Sequence, residues 1–280
     1  MVLGRMIDVV LAVAAATWIA VAGMSGEVNA AAYDTSRLDR MPDFSQTDRR
    51  LKLPGGGSHY CVPVATANVL VWLAEQRGYK NLLPLQGLTT IEKVASVATE
   101  LGSDSLMSTA PKGGTNLQKF VDGLSAFIKK SGYRASLEAH SPWRFRNVSR
   151  NHKGAPDMFK VRSEFARGAG VWISVGFFKE GSRPGDFQRI GGHMTTMAGF
   201  GVNENGATDR NVIILHDPDD GYRASVQRRY LHPEQIRNAS LVDNSGRQIA
   251  RLDGFLDVSG AFNMRRGYRA ILMHVFVLDM

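Results

Sequence analysis

The stretch PGGGSHYCVPVATANVLVWLAEQ, Pro54 to Gln76, contains Cys61, the only cysteine in 280 residues. Three glycines and a serine lead up to it, and a long apolar run follows. The glycines read as a loop, and a helix is expected to begin near Cys61. Pro63 suits a first turn, where a missing N–H costs nothing. Val62 to Ala74 is apolar nearly all round, so this helix is expected to be buried, and Arg77-Gly78 ends it. The first N–H groups of a helix lack partners and its dipole is positive there. Both favour a thiolate, the nucleophilic form of cysteine. The glycines let backbone approach a substrate closely, and the Cys61 N–H can face a developing oxyanion. The plainer reading is a small buried apolar residue, the commonest fate of a free cysteine. This stretch alone leaves both open.

The bulk numbers narrow the classes. Arg5 precedes Val9 to Ala22, 14 residues without a charge, and Val28-Asn29-Ala30-Ala31-Ala32 supplies small residues. That order reads as a secretory signal peptide over residues 1–30, cleaved after Ala30 or Ala32, with an uncleaved anchor as the alternative. The apolar stretch is shorter than the ~20 residues of a membrane span. The mature chain is therefore expected to be secreted or periplasmic, with no stable span after cleavage. Hydrophobic content of 44% suits a packed core. A single cysteine forms no internal disulfide, and in an oxidising compartment it is buried, paired between chains, or used. The net charge of +8 is scattered. It suggests a solvated surface, or attraction to anionic envelope polymers or acidic substrates. No recognisable binding motif accompanies it, which argues against nucleic acid.

Residues 31–58 read as an extended arm and glycine loop, broken by Pro42 and Pro54. Thr89-Thr90-Ile91-Glu92 and Thr115-Asn116-Leu117-Gln118 read as capping boxes of two further helices, ending near Gly102 and Gly132. Residues 140–157 read as a polar loop, and Asp157 to Arg167 as a shorter helix. Strands are expected over Val171–Phe178, His193–Val202, Asn211–His216, Tyr222–Leu231 and Tyr268–Leu278, with a turn at Asn203 to Gly206. Helices first and strands second, without βαβ alternation, predict an α+β fold with an antiparallel sheet. Residues 59–280 form one domain in this reading.

Two more stretches bear on the cysteine. GGHMTTMAGFG places His193 after a Gly191-Gly192 bend, as the first residue of a strand. VIILHDPDDG places Asp217 at the far end of the next strand. If the two strands form a hairpin, His193 and Asp217 become neighbours. A base oriented by a carboxylate, facing a thiol at a helix start, is the nucleophile–base–orienter arrangement.

HYCVPVATANVLVWL, GGHMTTMAGFG and ILHDPDDG resemble the cysteine, histidine and aspartate motifs of papain-like cysteine peptidases. They are most similar to the bacteriocin-processing (double-glycine) peptidase-like group, in its secreted bacterial branch. The resemblance covers roughly residues 42–231, strongest in these three blocks. It implies a papain-like fold, with an N-terminal helical half whose buried nucleophile helix packs on a C-terminal antiparallel sheet. It implies a Cys61–His193–Asp217 triad that cleaves peptide bonds in peptide or protein substrates, without a cofactor or metal. The family places a glutamine upstream of the cysteine as an oxyanion donor. MPDFSQ resembles that segment, which makes the residue Gln46. The chain departs from the group at Val62, where glycine is usual; a β-branched residue there narrows the cleft or alters how the helix begins. An amidase, a transglutaminase-like acyl transferase, and a binding protein that retains the fold are the alternatives.

The remaining candidates carry less. His59 reads as a loop histidine that can line the cleft. His216 is expected on the opposite face of its strand from Asp217. Asp217, Asp219, Asp220 and Gly221 lack the alternate spacing of a calcium loop. Pro54–Ser58 lacks the ending of a phosphate loop. Met194 and Met197 read as core. Specificity is expected from loops at 140–157 and 179–192.

Overall fold

The computed structural model describes residues 32–83, 87–110, 113–219 and 228–280. The stretch read as a signal peptide lies outside them, as do the first residues of the strand expected from Tyr222. Among the described residues there are four α-helices: α1 Cys61–Gln76, α2 Thr90–Gly102, α3 Leu117–Lys130 and α4 Met158–Ala166. The strands are β1 Ser136–Ser141, β2 Arg150–Lys153, β3 Gly170–Glu180, β4 Asp186–Val202, β5 Thr208–His216, β6 Arg228–Leu231, β7 Glu234–Gln235, β8 Ser240–Val242, β9 Gln248–Arg251, β10 Leu256–Asp257 and β11 Tyr268–Asp279. The main sheet runs β2-β1-β11-β3-β4-β5-β6. Its pairs are antiparallel except β1–β2, and β8 adds to β4 in parallel. The fold is mixed α+β with a large, mostly antiparallel sheet. No helix among the described residues is long and apolar enough to cross a membrane.

The sheet is apolar on both faces. Trp172, Met194, Ala198, Ile214 and Phe276 join the core built by α1, α2 and α3. Val171, Ile173, Val175, Met197, Ile213 and Leu215 pack with Val161 and Phe165 of α4. Helix α1 is seated by hydrogen bonds as well as by burial. The Ala65 carbonyl accepts from Trp172 Nε1 at 3.1 Å and from Thr196 Oγ1 at 3.0 Å. Both donors are buried sheet residues, so any displacement of α1 strands polar groups in the core.

The arm is docked on this core. Asp34 and Phe200 exchange two backbone hydrogen bonds of 3.0 Å. Arg37 is buried, donates to the carbonyls of Ala169 and Phe165, and lies between the rings of Trp72 and Phe165. One glycine of the loop, Gly57, receives the arm. Gly57 has φ +79°, and a Cβ there would sit 1.7 Å from the Gln46 carbonyl oxygen. Gly57→Ala is therefore expected to destabilise the protein by roughly 2–4 kcal/mol, combining left-handed strain with a backbone clash. Urea unfolding measures this, and a midpoint within error of the unaltered protein would show that the arm does not hold the loop.

The structure redraws several boundaries. Helix α2 has the expected capping box of Thr89 and Glu92. Helix α3 does not start on Thr115: Asn116 is the cap and accepts from the Gln118 N–H, while Thr115 pairs with the Thr109 hydroxyl. Gln118 turns its side chain to Asp122 and Arg146 instead of back to the cap. The region read as a loop over 140–157 includes the end of β1 and all of β2. His193 does not begin its strand, because β4 starts seven residues earlier, at Asp186. Gly191 and Gly192 are strand residues paired with Phe177 and Gly176.

Candidate active site

Helix α1 delivers Cys61 as its first residue. Tyr60 at the cap makes no side-chain hydrogen bond to the helix, so no side chain neutralises the positive end beside the thiol. Cys61 is partly exposed and lines a cavity of about 800 Å³ together with Val62, Ser174, Gly192, His193 and Met194. The helix begins regularly despite Val62, which is buried and forms part of the cavity wall.

Strands β4 and β5 supply the other two residues. Their register pairs Thr196 with His216, so Asp217 follows beside Thr195 and His193 lies two residues further along. That diagonal is within reach of long side chains. His193 and Asp217 are both buried, and His193 Nε2 donates a hydrogen bond to Asp217 Oδ1. Cys61 also acts on His193, its thiol being one of the groups that raise the imidazole pKa. Burial alone would lower the His193 pKa, but Asp217 and Cys61 outweigh it and hold the imidazole up to about 10. Burial likewise opposes ionisation of Asp217. His193, Arg229 and the Asp219 N–H prevail and keep it below the usual carboxylate range. The pair thus sits as imidazolium and carboxylate.

Arg229 is a site residue that the sequence reading missed. It lies on β6 opposite Leu215, and its Nε is 2.7 Å from Asp217 Oδ2. The contact is an ion pair rather than a well-aimed hydrogen bond, since neither atom has hydrogen-bond geometry to a described partner. Its guanidinium stacks on Phe262 and donates to the Ala261 carbonyl. The orienting carboxylate is therefore clamped from both sides. In sequence, Arg228-Arg229 looked like one more scattered basic pair.

Gln46 is buried close to this constellation but does not reach it directly. Its Nε2 donates to Asp219 Oδ1 at 3.2 Å and to the Ser58 carbonyl at 3.4 Å. Its N–H donates to Pro218. Asp219 in turn donates its N–H to Asp217 Oδ1 at 2.9 Å, so Gln46 sits one residue behind the triad. His216 turns away from Asp217, as expected: it is fully buried and donates Nδ1–H to the Pro42 carbonyl at 3.4 Å.

One other cluster has a metal-ligand composition. Glu138, His140 and His152 bring ligand atoms within 4.8 Å of one another. The Lys160 ammonium sits among them, 2.6 Å from Glu138 Oε2 and 3.1 Å from His152 Nε2. The two imidazoles are stacked with centroids 4.3 Å apart. The group is a charge-compensated ion-pair cluster, already holding its cation.

No family model matches the chain, and no curated protein matches it.

Proposed function

We propose that the protein is a papain-like cysteine hydrolase, most simply a peptidase, acting outside the cytoplasm on peptide or protein substrates. The observation that carries this reading is the buried His193, hydrogen-bonded to Asp217 and sharing one open cavity with Cys61, whose thiol helps to raise the imidazole pKa. A structural cysteine needs neither an imidazolium partner nor a cleft. The Cys61 thiolate attacks the scissile carbonyl and forms a tetrahedral intermediate. The Cys61 N–H, which has no intrahelical partner at the first helix position, donates to the oxyanion. His193 protonates the leaving amine and the C–N bond breaks, leaving a thioester. His193, now neutral, takes a proton from water, which hydrolyses the thioester and restores the thiolate–imidazolium pair. Asp217 and Arg229 hold the imidazole in place throughout.

The test is cleavage of a mixed peptide library near pH 7, read by mass spectrometry, with and without prior alkylation by iodoacetamide. Cleavage that disappears on alkylation is expected. The Cys61 label should form readily in the unaltered protein and slow sharply in His193→Ala, because the proposed imidazolium partner supports the nucleophile. Labelling indifferent to His193 would remove Cys61 from the role of nucleophile.

Gln46 serves as a second oxyanion donor in this reading, exchanging its bond to Asp219 for the developing charge. Gln46→Ala should lower kcat about 10²-fold with the fold intact, the scale of other oxyanion-donor deletions. Unchanged kcat would leave the backbone donor alone in that role.

A further inference from the structure

The cavity at Cys61 continues into a second one. The second, about 530 Å³, lies against the β8–β9 hairpin and shares Trp143 and Arg189 with the first. Arg189 therefore stands where the two meet. Its position comes from a β-bulge. The β3–β4 register shifts between Phe177 and Phe178, pairing Phe178 with Arg189 and Phe177 with Gly191, which expels Ile190 into solvent. Bulges beside active sites commonly re-aim a side chain. Here Arg189 folds back, with Nε donating to the Gly191 carbonyl at 3.1 Å. Its guanidinium lies over Gly192, where a Cβ would meet Nη2 at 2.7 Å. A side chain at Gly192, which directly precedes His193, would push this guanidinium aside.

The charge of this groove is one-sided. Lys119 and Arg144 line the first cavity with Arg189, and the residues lining that cavity include no carboxylate. Among the described residues, none of the three cations has a carboxylate within ion-pair distance. The acidic residue lining the second cavity, Asp243, is occupied by its own turn, accepting from Ser245 and Arg247. The Arg189 residue is open to the groove, while the walls around its guanidinium push its pKa down. A cation without a carboxylate partner among the described residues, held on a rigid strand at a groove, is a waiting half of an ion pair. Trp143 and Ile249 give the same groove apolar surface.

We propose that the groove from Cys61 past Arg189 and Trp143 to the β8–β9 hairpin binds an extended polypeptide bearing a carboxylate side chain, with Arg189 as its anchor. The choice of polypeptide rests on the hydrolase reading above. At ~3.3 Å per extended residue, the fold-back of Arg189 over Gly192 puts the anchored carboxylate roughly one to three residues from the scissile bond.

The test uses fluorescein-labelled peptides of equal length carrying Glu, Gln or Lys at each of those positions in turn. Binding is measured by anisotropy with the Cys61→Ala protein, and cleavage of the same peptides with the unaltered protein. The Glu peptide at the anchored position should bind about tenfold more tightly than its Gln counterpart, with the difference shrinking in salt. Arg189→Gln should erase that difference, and Arg189→Glu should favour the Lys peptide. Arg189 is exposed and forms no ion pair among the described residues, so neither variant should unfold the protein. Cleavage without any preference for Glu, or a preference that survives Arg189→Gln, overturns the anchor and leaves the hydrolase reading standing. Arg189-dependent binding without any cleavage keeps the groove as an acidic-peptide site and overturns the hydrolase. Neither binding nor cleavage overturns both.

Discussion

His193→Ala should reduce turnover by about 10⁴-fold or more, to background, while Asp217→Asn should lose roughly 10²-fold. The two differ because they do different work. His193 carries the proton to the leaving amine and sustains the thiolate, and no other described group contacts both Cys61 and Asp217. Asparagine at position 217 still accepts from Nε2–H, so the ring keeps its orientation. What it loses is charge. Burial lowers the His193 pKa, and Asp217 is the main influence that raises it to about 10. Without the carboxylate, the alkaline limb of the kcat/KM profile should move toward lower pH by more than a unit. Arg229, left facing a neutral amide, should make Asp217→Asn less stable as well. Kinetics across pH with both purified variants decide the matter. Equal losses, or an alkaline limb that stays in place in Asp217→Asn, would refute the assigned roles.

The helix that carries Cys61 was legible because three signals agreed: a glycine loop, a proline in the first turn and an unbroken apolar run. The hairpin joining His193 to Asp217 was legible from its turn residues and apolar strands. The start of β4 was not. Gly191-Gly192 reads as a breaker pair, yet both are in-strand, paired with Phe177 and Gly176 of β3. That pairing is a tertiary contact, which local propensity cannot reveal. The strand β1, SLEAHS, looks polar, but it is flanked by β11 and β2, and its charged Glu138 is compensated by Lys160 from α4. Arg229 escaped notice for a similar reason: its partner is brought beside it by the β5–β6 register. The close approach of the arm that Gly57 accommodates has no signal in the glycine run itself. Signals local in sequence were readable; those created by strand pairing were not.

The protein should also unfold steeply as pH falls from about 6.5 to 4, before most carboxylates titrate. His140, His216 and His274 are almost completely buried. Burial pushes their pKa values down, to about 4, 4 and 3 respectively. His140 lies against His152, Lys160 and Glu138; His216 against the Pro42 carbonyl, Asp43 and Arg228; His274 against Ser141, aromatic rings and Arg189. In the unfolded chain each takes a proton near 6.5, while the folded chain refuses it until about 4 or below. Stability from these groups is therefore full above 6.5 and lost as pH falls toward the folded values. Each accounts for on the order of 3 kcal/mol at pH 4, and together they rival the 5–15 kcal/mol of a typical domain. Urea midpoints at pH 7, 6, 5 and 4.5 should fall progressively. His274→Gln should flatten that slope by close to one proton, whatever it does to stability at pH 7. His193 has the opposite sign: its raised value keeps it protonated in the folded chain, so the stability it adds grows until the unfolded chain takes its proton around pH 6.5 and changes no further at lower pH. Activity should then fail on the acid side together with the urea midpoint, through loss of the fold rather than titration of the site. A midpoint that stays flat from pH 7 to 4.5 would mean that the three histidines are not held neutral. An activity loss that precedes unfolding would place a titrating group in the cleft itself.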